Sequence, residues 1–232
     1  MKKNCLLCFL LFFSCHSALA GESLDSLLNV LDKTIKEADT YVQIKENKLH
    51  ELKKEARKTP PFSVERYNLN NDIYLEYKAY SSDSALHYLN ENMLLARQLN
   101  DKERELKIQL ELSYLLSSIG MYMEAADILN SIDRQTLPSS LLGHYYTCYE
   151  HVYFEAGAAQ PRYKMFASRY VKLSHAYRDS MQITLDPSSA TYLWLRETQL
   201  REVGKYDEAL EFSDRRLAES SFGTPQYALV AL

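Results

Sequence analysis

Glycine and proline are scarce, with six of each in 232 residues. So few turn formers argue against a many-stranded β architecture. No segment alternates apolar and polar residues between turn pairs such as Asn-Gly, so no sheet is expected. Long apolar runs are missing with one short exception, the nine residues from Cys5 to Phe13, where a membrane-crossing helix needs roughly 20. Lys2 and Lys3 precede that run, and Ala18 and Ala20 follow it at the small-residue positions of a cleavage site before Gly21. Residues 1–20 are therefore read as a cleaved export signal. Cysteine is nearly absent from the rest: Cys5, Cys8 and Cys15 lie in the signal, and Cys148 alone remains, so no internal disulfide is expected. The alternative for Cys15 is lipidation at the end of a lipoprotein signal, against which Phe12 and Phe13 weigh. Excess positive charge is lacking too, since loss of Lys2 and Lys3 takes the formal net charge of −4 to −6. Nucleic acid is accordingly not an expected partner of this segment.

Motifs that announce catalysis are also missing. There is no G-x-x-x-x-G-K-[ST], G-x-G-x-x-G, H-E-x-x-H or G-x-S-x-G. The chain is read as having no enzymatic activity and no cofactor.

What is present is helical. From Ser23 to Lys58 there is neither proline nor glycine, and Leu24, Leu28, Leu31, Ile35, Ala38, Val42, Lys45, Leu49, Leu52 and Ala56 recur in steps of four and three. The expectation is a long N-terminal helix spanning 21–58, about ten turns. Leu28, Ile35, Val42 and Leu49 at a, with Leu24, Leu31 and Leu52 at d, suit a parallel homodimer through Leu24–Ala56; the alternative is packing within the same chain. Thr59-Pro60, Pro138 with Ser139 and Ser140, Asp186-Pro187 and Thr224-Pro225 read as later helix starts.

Across 59–232 a small residue recurs. Ala85, Ala125, Ala167 and Ala209 stand 40, 42 and 42 residues apart, the spacing of stacked helix pairs that bury their apolar faces against their neighbours. Two copies carry a longer signature, "GMYMEAA" at 120–126 and "GKYDEAL" at 204–210. The glycine suits a tight reversal between antiparallel helices and the alanine a close approach of two backbones.

These residues resemble the tetratricopeptide repeat (TPR), with glycine, tyrosine two residues on and alanine five on, although the period exceeds the usual 34 or so. The resemblance is carried best by 106–130 and 190–217. It implies an all-α, tetratricopeptide-like helix-hairpin solenoid after the long helix. More broadly, "DSLLNVLDKTI", "DSALHYLNENMLLARQLND", "GMYMEAADILNSIDR", "YRDSMQ", "LDPSS" and "GTPQYALVAL" resemble the N-terminal part of bacterial envelope regulators. In that family an exported TPR region precedes a membrane helix, a coiled coil and a cytoplasmic domain. The resemblance implies a sensing or scaffolding module at the periplasmic face, with a membrane link supplied by a segment downstream of residue 232. The helix start at Thr224-Pro225, followed by the apolar "QYALVAL", likewise suggests that the chain is the first part of a longer protein.

The TPR pattern, carried over residue by residue, implies that Lys107, Leu110, Tyr114 and Ser117 face a concave groove, as do Thr191, Trp194, Thr198 and Arg201. Lys107 and Arg201 would supply charged donors, and Tyr114 and Trp194 flat apolar surfaces, for an extended peptide or protein segment bearing a carboxylate. The alternative is that they are ordinary surface residues.

Two further readings concern local clusters. His144, Cys148, His151 and Glu155 follow at four, three and four residues on one helical stripe, and all are zinc-ligand types. His144 and His151 stand about 10.5 Å apart along a helix axis, so one helix can offer only two of them to a single ion. The favoured reading makes Cys148 a small core residue beside Tyr145, Tyr146 and Tyr149, with no metal. The 18 tyrosines are expected mainly between helices; the alternative, with Trp194, is an outer-surface lipoprotein that stacks sugars.

Overall fold

The computed structural model describes residues 28–29, 32–33, 35–160 and 162–220. Two compact units divide the chain, Met1–Arg57 and Lys58–Leu232. The regular element of the first is α1 (Ala38–Lys58). Leu28, Ile35 and Val42 of the heptad seam are exposed, whereas Leu49 and Ala56 are buried. Leu24, Leu31, the export signal, and the helix start at Thr224-Pro225 lie outside the described residues.

Eight helices of the second unit pair in sequence: α2 (Val64–Tyr77) with α3 (Ser82–Gln98), and α4 (Lys102–Ser118) with α5 (Tyr122–Ser131). A 3-10 turn at Arg134–Thr136 leads to α6 (Ser139–Ala158), which pairs with α7 (Lys164–Thr184); α8 (Ala190–Glu202) pairs with α9 (Tyr206–Glu219). Among the described residues there is no strand. Successive pairs stack through α3 on α4, α4 and α5 on α6, and α7 on α8. The architecture is an all-α, tetratricopeptide-like helix-hairpin solenoid.

The recurring alanine has a common position. Ala85, Ala125, Ala167 and Ala209 each donate their N–H to the carbonyl of the N-cap residue, Ser81, Met121, Tyr163 and Lys205 respectively. Each is thus the fourth residue of the second helix in its hairpin. Ala85 and Ala125 are fully buried and Ala209 nearly so, while Ala167 is only partly buried. The long period comes from helix length: α6 has 20 residues and α7 has 21.

Gly120 and Gly204 close the first helices of their hairpins at φ 90° and 77°. In both, the glycine N–H reaches back to Ser117 O or Arg201 O, and the next N–H to Leu116 O or Leu200 O. That double closure requires a left-handed residue.

Hydroxyl and carboxylate caps, more than prolines, set several helix starts. Ser63 accepts from Arg66 N–H to begin α2, four residues after Thr59, and Ser189 accepts from Tyr192 N–H to begin α8, three after Asp186. Asp186 instead folds its carboxylate onto Ser188. Pro138 sits at the N-cap of α6 itself. A core of Leu110, Leu116, Leu129, Val152, Met181 and Leu195 joins the second, third and fourth hairpins, and tyrosines from α6 and α7 interleave beside it, with the Tyr149 and Tyr177 rings stacked at 4.7 Å.

Ala125→Leu should destabilise the domain by about 1–3 kcal/mol through overpacking, and Ala167→Leu, at the partly exposed equivalent, by clearly less. Gly204→Ala should cost about 1 kcal/mol through backbone strain alone, because a Cβ there meets open space. Urea unfolding followed by circular dichroism measures all three.

Candidate functional site

A polar and aromatic cluster is built by the first helices α2, α4 and α6. Tyr74 stands on α2 and Lys78 one turn on at its C-cap; Glu111, Tyr114 and Ser118 follow a stripe of α4; His144, His151 and Glu155 follow one of α6. The Tyr74 hydroxyl donates to Glu111 Oε2 at 2.6 Å and Lys78 Nζ donates to the same oxygen at 3.0 Å. His144 Nε2 stands 3.6 Å from Glu111 Oε1. Lys78 Nζ also lies 4.4 Å from the centre of the Tyr114 ring, which stacks on His151 at 3.9 Å. His151 Nε2 meets Ser118 Oγ at 2.9 Å.

Charge in this cluster is set by burial and by one ammonium. Burial alone would push the Glu111 carboxyl up, but Lys78, His144 and the Tyr74 hydroxyl more than offset it, and the group lies below its ordinary value. Burial lowers His144, which Glu111 only partly counters. At neutral pH His144 is therefore uncharged and Lys78 is the cation that holds Glu111. Burial, helped by Lys78, takes His151 down to about 4, and Tyr114 is pushed up to about 12, chiefly by burial.

Ser118, His151 and Glu155 fall in line, but the line lacks the parts of a hydrolytic triad. Ser118 Oγ also contacts Tyr114 O as a donor at 2.9 Å, and Glu155 Oε1 is 4.0 Å from His151 Nδ1. The N–H groups of Ile119, Gly120 and Met121 are spent on α4 carbonyls, leaving that turn no donor for an oxyanion. The arrangement suits binding: an ammonium, two aromatic faces and a carboxylate.

The groove residues implied by the TPR pattern are dispersed. Lys107 is exposed and Tyr114 partly buried within the cluster; Leu110 is in the core, and Ser117 is buried with its hydroxyl on Tyr114 O. On α8, Trp194 packs partly buried against the core, 6.0 Å from the Arg178 guanidinium, and Thr191 and Thr198 are partly buried. Arg201 is exposed, 3.7 Å from Glu197, which also pairs with Arg216. The α4 and α8 backbones do not approach each other, although Leu110 and Trp194 pack on the same core. Of the zinc-type stripe, Cys148 is fully buried with its thiol on Leu110 O at 3.3 Å, and burial raises its pKa well above the usual value. Among the described residues no group of three or more His, Cys, Asp and Glu is arranged to hold a metal ion. Tyr74, Lys78 and Glu111 were not singled out from sequence; the available signal was a polar stripe one residue round from the apolar one.

Four stacked hairpins with an alanine recurring at one helical position, buried in three of them, define a tetratricopeptide-repeat domain, a class of modules that bind proteins or peptides and are in general non-catalytic. Residues 35–232 match the family described as the SusR N-terminal TPR domain, and the chain belongs to that family. No curated protein and no solved structure matches it.

A histidine whose folded pKa is depressed favours the neutral state, so its contribution to stability is complete above about 6.5 and is lost as pH falls towards 4. Glu111 acts lower, below the ordinary carboxylate value. Between pH 7 and 5 the urea midpoint should therefore fall, and His151→Gln should reduce that fall while His144 maintains part of it.

Proposed function

We propose that the chain is the exported sensing region of a membrane-bound envelope regulator and that the face built by α2, α4 and α6 binds a peptide or a segment of a partner protein. The observation that carries the reading is Lys78 poised over Tyr114 beside the exposed Lys107, a cationic and aromatic surface in a TPR-family domain. Such a surface suits an extended segment bearing a carboxylate. Thr198 and Arg201, one joint further on, would meet a longer ligand. Occupancy would bias the stacking of the hairpins or the pairing of the N-terminal helices, and a downstream membrane helix would carry the change. The exposed seam of Leu28, Ile35 and Val42 supports pairing with a second copy.

A photoreactive residue at Lys107 should crosslink a protein partner in cells, and one at Asp83, exposed on α3, should not. Equal crosslinking from both positions would remove the groove. The intact mass of chain isolated from cells should begin at Gly21; a lipid-modified Cys15 at the N-terminus would favour an anchored lipoprotein. Val42→Glu should halve the sedimenting mass of the purified chain if the seam joins two copies, and an unchanged monomer mass in both proteins would end the dimer reading.

A further inference from the structure

A cleft of about 450 Å³ lies between α7 and α8, within the range of small-molecule sites. Its deepest charge is Arg178, 3% exposed. Arg178 Nε donates to the buried Glu150 at 2.8 Å, and Glu150 also accepts from Ser174 Oγ. Arg178 Nη1 donates at 2.6 Å to Glu202, whose side chain is 44% exposed. One carboxylate is therefore a permanent part of the interior, and the other is a tethered group at the mouth. His175, 3.8 Å from Glu202, stands beside it.

The rest of the lining is cationic or neutral apart from Asp179. Lys205 pairs outward with Glu208 at 2.7 Å. Arg196 bonds to the neutral amide of Gln199, which continues to Gln182 on α7. Among the described residues no carboxylate makes an ion pair with Arg196, so the direct partner of this part-buried guanidinium is a neutral amide. Guanidinium groups bind carboxylates with paired donors, and exclusion from water strengthens that contact.

We propose that the cleft is a site for a small organic carboxylate, which replaces Glu202 on the outward edge of Arg178 and takes its second contact from Arg196. No bond is made or broken; one anion exchanges for another on a preformed cation. The exchange has a mechanical consequence. α7 and α8 are the helices that bring the third and fourth hairpins together at backbone distance, and this is the most loosely packed of the joints. Glu202 is its ion-paired pin. A ligand that frees Glu202 releases the fourth hairpin to turn, so occupancy is linked to the angle of that joint. The site is separate from the α2, α4 and α6 face, and either can be correct without the other.

Trp194, the single tryptophan, lies 6.0 Å from the Arg178 guanidinium and reports on the cleft. Titrating the purified chain with succinate or citrate at constant ionic strength should give a saturable change in its fluorescence. Arg196→Gln should weaken binding about tenfold. Glu202→Gln, which removes the internal competitor, should tighten it several-fold, an outcome that a purely structural ion pair does not produce. No saturable change, an equal change with chloride or sulfate, or variants indistinguishable from the parent chain would each overturn the site.

Discussion

Two helices can approach closely only where the side chain between them is small, and the protein places that restriction at one backbone position. Ala85, Ala125, Ala167 and Ala209 are each the fourth residue of a second helix, one hydrogen bond from its cap. From there the rest is constrained. A larger residue would push the helices apart, and the leucines and tyrosines of the core depend on that separation. The two positive-φ glycines then fix where the chain reverses. Ala167, which is only partly buried, is the least confined of the four, and it lies in the hairpin whose helices are longest.

Polar groups inside such a stack must be matched, because burial of an unpaired charge is costly. The protein does this differently around Glu111 and around Arg178. Around Glu111 one ammonium and one phenol satisfy a single carboxylate, and both histidines are kept neutral by burial. Around Arg178 the cation is the buried partner, held between an interior and a surface carboxylate. The first arrangement braces the first and second hairpins through α2 and α4 while leaving Lys78 and Tyr114 part of the surface; the second braces the third and fourth through α7 and α8. The two clusters thus place their charges in different parts of the fold.

Much of the fold was legible in the sequence because the relevant signals are local. The alanine spacing, the two Gly-x-Tyr-x-Glu-Ala stretches and the helical apolar rhythm all act within one hairpin, and the structure repeats them. Prolines misled as helix starts at Thr59-Pro60 and Asp186-Pro187, since Ser63 and Ser189 downstream offer oxygens that bond the third residue's N–H. The candidate site was less legible for a geometric reason. With long hairpins, the stripe facing α2 and α6 from α4 runs through Glu111, Tyr114 and Ser118, so Leu110 and Ser117 turn inward. The Glu150–Arg178 pair spans 28 residues and two helices, and nothing local marks either residue as buried.

Cys148 has a bearing on how the domain meets its surroundings. Its sulfur is wholly enclosed and engaged by the Leu110 carbonyl, and the thiol is held far from its reactive anionic form. A thiol-directed reagent or a thiol-exchange enzyme finds no accessible cysteine on these folded hairpins. Among the described residues, therefore, no thiol is offered for a disulfide between copies.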